Sequence, residues 1–156
     1  MIITKHFCNS KQWPRRLARL KKISKKTIKE SEKYFNKKYS YYINLILSND
    51  KELEKLNKKF KKNKSTTDVL TFVTESNNSF PKTKFCDIFF SSQTIKNDAK
   101  KNKINFYDHY NHLLVHSFLH LNGYKHNKLV DTKKMQKIEI TILKRLGIQN
   151  PYIINE

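Results

Sequence analysis

Two cysteines, two glycines and three prolines are scattered through 156 residues, and no acidic side chain appears before Glu30. Cys8 and Cys86 are too few and too far apart in sequence for a disulfide scaffold, so they read as ordinary core or surface thiols of a reducing compartment. No apolar run approaches the roughly 20 residues needed to cross a bilayer, which excludes a membrane-spanning helix and leads to the expectation of a soluble, cytoplasmic protein. Neither an internal repeat nor a linker interrupts the chain. Residues 1–156 are therefore expected to form a single domain, long enough to bury a core.

The absence of acids at the N-terminus could belong to an organelle transit segment. The apolar spacing points elsewhere. Trp13, Leu17, Leu20, Ile23, Ile28 and Phe35 recur at helical intervals from a start near Pro14, a residue suited to the first helical turn, so a folded amphipathic helix is expected. Over the whole chain 33 Lys+Arg stand against 13 Asp+Glu, a formal net charge of +20. Such a surplus suits a polyanionic partner, because clustered cations bind phosphates by releasing their counterions. Drift in an AT-rich genome would also produce abundant Lys, Asn and Ile with scarce Gly, and a membrane surface attracts cations too. Charge alone does not choose among these.

Further along, YYINLILSND at 41–50 has the β-rich, apolar character of a buried strand. KELEKLNKKF follows as a short helix with Leu53, Leu56 and Phe60 on one face, and KKNKST at 61–66 reads as a loop. DVLTFV at 68–73 and CDIFFS at 86–91 read as strands joined by a polar connection containing Asn77, Asn78 and Pro81. A helix is expected from Ser92, with Ile95, Ala99 and Ile104 on its inner side. A second runs from about Phe106 to Asn122 and stops at Gly123. A third is capped by Asp131, faces the core with Met135, Ile138, Ile142 and Leu146, and ends at Gly147. Partial alternation followed by three helices predicts an α/β or α+β fold, one small mixed sheet packed by about five helices.

The chemistry concentrates in residues 116–126, HSFLHLNGYKH. His116 and His120 are i and i+4, so their rings project from one helical face a turn apart. Gly123 lets the chain reverse, so that His126 returns to the same point. Three neutral imidazoles leave a fourth tetrahedral position open, as in catalytic rather than structural zinc sites. His109 and His112 extend the same stripe and are assigned to the cleft wall or the surface. The spacing H-x3-H-x2-G-x2-H is also that of the metzincin proteases, whose glutamate after the first histidine is the general base. Here that position is Ser117, which cannot take the proton at neutral pH, so the peptidase reading loses its general base.

HSFLHLNGYKH resembles the signature HGxLHLxGYDH of the YbeY endoribonucleases, or rRNA maturation factors. TTDVLTF at 66–72 is similar to that family's TDVLSF strand, CDI at 86–88 to its GDI, and Met135 with Glu139 to its M-x3-E pair. The resemblance covers roughly residues 40–147. Ser117, Lys125 and Cys86 depart from the family's glycine, aspartate and glycine, and Lys61 stands where the family has arginine. Lysine attracts phosphate but lacks the two-pronged guanidinium geometry.

The resemblance implies a zinc-dependent, single-strand-specific endoribonuclease. It implies action on ribosomal RNA, in late small-subunit and 16S rRNA 3′ end maturation and ribosome quality control, with the small ribosomal subunit as partner and neither membrane nor DNA involved. One zinc ion is expected on His116, His120 and His126, activating water for attack on the phosphodiester. Lys61 and Lys64 are expected to neutralise phosphate charge, with Lys61 and His116 as catalytic residues, and His112 is a candidate for proton transfer to the leaving oxygen. Asp68 either makes a strand-start turn contact or orients a histidine or the lysine loop. Glu139 either reaches a histidine or pairs with a lysine, and Tyr124 and Phe72 either pack in the core or stack on bases. The alternative function is a non-catalytic assembly factor that binds rRNA and uses zinc only for stability.

Overall fold

The structure, a computed structural model, describes residues 1–61 and 69–153, the side chain of Lys61 excepted. These residues build four strands and five α-helices: β1 (Ile2–Cys8), α1 (Leu17–Ser31), β2 (Tyr39–Ser48), α2 (Asp50–Leu56), β3 (Val69–Ser76), β4 (Lys82–Ser91), α3 (Ser92–Lys101), α4 (Phe106–Leu121) and α5 (Leu129–Arg145). The sheet order is β1-β2-β4-β3, with β1, β2 and β4 parallel and β3 antiparallel to β4. The mixed sheet and the helix count agree with the expected α+β class.

The two central strands show why the sheet has an inside. Tyr41, Ile43, Leu45 and Leu47 of β2 are buried, as are Cys86, Ile88 and Phe90 of β4, and the register sets Ile43 beside Cys86, Leu45 beside Ile88 and Leu47 beside Phe90. Alternation sends Tyr42 and Phe85 to the other face, where they stack at 5.5 Å and remain partly exposed. Against the buried face lie Trp13, Leu20 and Phe35 from the α1 region and Tyr110, Leu113, Leu114, Phe118 and Leu121 of α4. Fully burying each such side chain contributes roughly 1.5–3 kcal/mol. A second cluster joins Val115 and Leu119 of α4 to Met135, Ile142 and Leu143 of α5. Helix α4 is thus apolar on two sides, leaving one stripe for polar chemistry.

Several boundaries differ from the sequence expectation. β1 went unassigned because IITKHFC is an edge strand with mixed exposure and no clean alternation. The helix expected from Pro14 through Phe35 is a 3-10 turn (Pro14–Arg16), then α1, then a second 3-10 turn (Glu32–Tyr34), and Phe35 is already extended. α3 ends at Lys101, so Ile104 lies in the connection to α4, partly exposed. Asp131 does not cap α5: the helix begins at Leu129 after Lys128, with no side-chain cap, and Asp131 sits in its first turn, near the positive end of the helix dipole. β4 begins at Lys82, which shortens the polar connection to residues 77–81. The 61–66 loop falls largely outside the described residues. No helix among the described residues is long and apolar enough to cross a membrane.

The two thiols differ in environment. Cys8 is exposed, whereas burial pushes the Cys86 thiol up to about 12. Iodoacetamide at mildly alkaline pH is expected to modify Cys8 and to spare Cys86 until denaturant is added, as read by peptide mass spectrometry. Modification of Cys86 in the native protein would contradict its place in the sheet.

Candidate metal centre

Helix α4 starts cleanly because the Asn105 side chain accepts from the Tyr107 N–H. At its other end the Gly123 N–H bonds the His120 carbonyl at 3.1 Å and the Tyr124 N–H bonds the Leu119 carbonyl at 3.1 Å, the paired bonds of a Schellman motif. Gly123 has φ +88°, a conformation that costs an L-residue roughly 1–2 kcal/mol. Asn122 locks the same end: its Oδ1 accepts from the Tyr41 hydroxyl (2.7 Å) and the Asn36 N–H (3.0 Å), and its Nδ2 donates to the Phe118 carbonyl (2.8 Å). The helix terminus carrying His120 is thereby tied to the central strand.

The turn delivers what the spacing predicted. His116, His120 and His126 each offer a ring nitrogen, and these atoms lie within 4.8 Å of one another. Ring centroids are 4.5 Å apart for His116 and His120, 4.8 Å for His120 and His126, and 5.4 Å for His116 and His126. The Thr132 hydroxyl, at 3.0 Å from the His126 carbonyl, fastens the returning loop to the first turn of α5.

Hydrogen bonding fixes the tautomers. His120 Nδ1 is 2.9 Å from the Tyr124 carbonyl, which can only accept, so Nδ1 carries the proton. His116 Nδ1 is 2.6 Å from Glu139 Oε1 and donates to that carboxylate. The two Nε2 lone pairs therefore face each other across 2.9 Å, a repulsive arrangement unless a proton or a cation lies between them. Burial first, then the neighbouring His116, holds the His120 pKa below its ordinary value, so His120 is neutral at pH 7 and free to ligate. Three convergent imidazoles, two with their outer N–H engaged by acceptors, fit a transition metal such as zinc.

Glu139 is wholly buried. Besides the bond to His116, its Oε2 accepts from His112 Nε2 at 3.0 Å and from the Tyr152 hydroxyl. Burial by itself would push the carboxyl up, but the hydrogen bonds from His112, His116 and Tyr152 outweigh it and hold Glu139 at about 2. Of the two roles left open for Glu139, the structure places it against histidines.

A cleft of about 640 Å³ runs beside the centre. β3 forms one wall with Val69, Leu70, Thr71 and Val73, and α4 forms the other with His109, His112, Leu113, His116, Ser117 and His120, joined by His126 and Tyr152. His109 and His112 thus belong to the cleft wall, with His109 Nε2 4.0 Å from Asp98 Oδ2. Ser117 is buried and donates to the Leu113 carbonyl at 2.9 Å, so its hydroxyl is committed to the helix backbone. Phe72 packs edge-on to Phe60 and Phe89, and Tyr124 lies against the second core cluster. Lys64, Asp68 and the side chain of Lys61 lie outside the described residues. Sequence reasoning missed Tyr152, the Tyr124 carbonyl, Asn122 and Thr132. Asn122 and the Tyr124 carbonyl fall inside the histidine motif, but a backbone acceptor leaves no residue-type signature and an asparagine at a helix end carries no mark of its tertiary partners.

Two outcomes follow. Gly123→Ala is expected to lower unfolding stability by about 1–2 kcal/mol through backbone strain alone, since an added Cβ meets no atom within 4 Å; an unchanged denaturation midpoint would contradict the turn. Because Glu139 sits below its ordinary value of 4.5 when folded, its stabilisation is complete above that pH and is lost as pH falls toward about 2. Denaturant melts down this range are expected to fall more steeply for wild type than for Glu139→Gln. Equal slopes would contradict the three-donor environment.

The endoribonuclease YbeY family profile matches residues 7–147, reaching upstream of the roughly 40–147 stretch of the motif resemblance to take in α1. Among curated relatives, Endoribonuclease YbeY of Polynucleobacter asymbioticus is 37% identical over 73% of this chain and 72% of its own length. That of Ehrlichia chaffeensis is 35% identical over 76% and 75%. A solution structure of a Thermotoga maritima protein shares the fold with TM-score 0.56 at 22% identity, covering 94% of this chain and 92% of that one.

Proposed function

The chain belongs to the YbeY endoribonuclease family, and from that premise we propose that it hydrolyses phosphodiester bonds of single-stranded RNA with one zinc ion held by His116, His120 and His126. The observation that carries this reading is the convergence of one ring nitrogen each from His116, His120 and His126, with the Nε2 atoms of His116 and His120 2.9 Å apart on the wall of an open cleft. When bound, zinc supplies Lewis acidity and a coordinated water with its pKa lowered toward about 7.

The chain's own residues supply orientation. Glu139 keeps the His116 proton on Nδ1 and so keeps Nε2 available, and the Tyr124 carbonyl does the same for His120. His112 keeps its Nε2 on Glu139 and Tyr152, so in this reading it anchors the carboxylate, with proton transfer to the leaving oxygen open to it only when that bond is released. In this reading Lys61, which stands where the family has arginine, and Lys64 neutralise charge on the phosphate oxygens, several ammonium groups doing the work of one arginine. Ser117 takes no part in proton transfer because its hydroxyl is spent on the helix.

The substrate in this proposal is ribosomal RNA, cut in late small-subunit and 16S rRNA 3′ end maturation and in ribosome quality control in the cytoplasm, with the small ribosomal subunit as partner. A net charge of +20 draws such a polyanion to the surface.

Purified protein is to be assayed on a labelled single-stranded RNA, with bound metal quantified and His120→Ala carried through the same purification. Wild type is expected to hold one equivalent of zinc and to cut, while the variant stays folded and falls to background. Equal cutting by both would remove the nuclease reading. Unfolding of wild type on zinc removal would favour the assembly factor stabilised by metal.

A further inference from the structure

We propose that Tyr152 is a positioning residue of the metal centre, holding Glu139 so that Glu139 can hold His116; the inference rests on the metal-dependent reading above. Tyr152 lies beyond the stretch matched by the family profile, which ends at residue 147. The chain is brought back to the site by specific contacts. At the end of α5 Gly147 takes φ +76° and the Ile148 N–H bonds the Leu143 carbonyl at 2.9 Å, which turns the chain and seats Ile148 on the second core cluster. The Asn150 side chain then accepts from the Tyr152 N–H at 2.9 Å, closing a tight turn around Pro151.

That turn lays the Tyr152 ring edge-on against His112, with centroids 5.4 Å apart and planes at 88°. Its hydroxyl donates to Glu139 Oε2 and stands 3.1 Å from His112 Nε2. The side chain also forms part of a small pocket with His116, His126 and Glu139. Oε1 is the oxygen that serves His116, so the two donors on Oε2 decide how the carboxylate is rotated. Removing one of them leaves a buried anionic oxygen with a single donor, and the carboxylate regains the freedom to turn away from His116. Among the described hydrogen bonds Tyr152 makes none to the three ligand histidines, so its effect on them passes through Glu139.

The test is zinc affinity of the full chain, measured by competition with a chromophoric chelator, for wild type, Tyr152→Phe and Tyr152→Ala, with thermal melts alongside. Tyr152→Phe keeps the ring on His112 and deletes only the hydroxyl. Both variants are expected to bind zinc about tenfold more weakly than wild type, the lower end of what an outer partner contributes, with Tyr152→Phe still folded and its melting lowered less than that of Tyr152→Ala. Zinc affinity of Tyr152→Phe equal to that of wild type would overturn the inference, whether or not Tyr152→Ala is weakened, because ring packing would then be the whole effect. Wild type that binds zinc but cuts no RNA would remove the nuclease reading and leave this inference standing. Wild type that binds no zinc would overturn both.

Discussion

A carboxylate with no access to water sits between α4 and α5, and the arrangement of the site follows from keeping it charged. A buried anion costs several kcal/mol unless its lone pairs are met by donors, and Glu139 meets three of them from two segments: His112 and His116 one turn apart on α4, and Tyr152 after α5. Each donor is oriented in return. The proton of His116 is pinned to Nδ1, the ring of His112 is turned inward, and the chain after α5 is drawn back over the centre. The apolar contacts of Val115 and Leu119 with Met135, Ile142 and Leu143 set the distance at which this is possible.

Helix α4 serves three functions on three faces. One face closes the sheet through Tyr110, Leu114 and Phe118, a second packs on α5, and the third presents the histidines to the cleft. Polar ties to α1, Ser24 to the Tyr110 hydroxyl at 3.0 Å and Thr27 to Asn111, keep the helix from sliding. Such a helix cannot shift or rotate without disturbing both cores, so the ligand geometry inherits the rigidity of the whole packing. The serine that follows the first ligand is absorbed into this helix by its bond to Leu113, which is why it occupies the metzincin base position without acting as a base.

The convergence of His116, His120 and His126, the central helix, both glycine stops and the two central strands were legible from the sequence, because each rests on local rules: i and i+4 geometry, left-handed turns at glycine, and apolar runs. What escaped depends on tertiary partners. β1 is recognisable as a strand only once β2 is beside it. Glu139 had two readings because a glutamate on a lysine-rich helix carries no mark of what it faces, and Tyr152 carries no mark at all. Asp131 has the residue type of a cap, yet the helix begins at Leu129, three residues before the start such a cap would set, with an unassisted end whose dipole the same aspartate complements.

The central claim is that three imidazoles, and no other protein group, hold the metal. Zinc K-edge X-ray absorption on the metal-loaded chain tests it directly. The account predicts three imidazole nitrogens at about 2.0–2.1 Å and no sulfur in the shell. A sulfur contribution from Cys8 or Cys86, or fewer than three imidazoles, would contradict it.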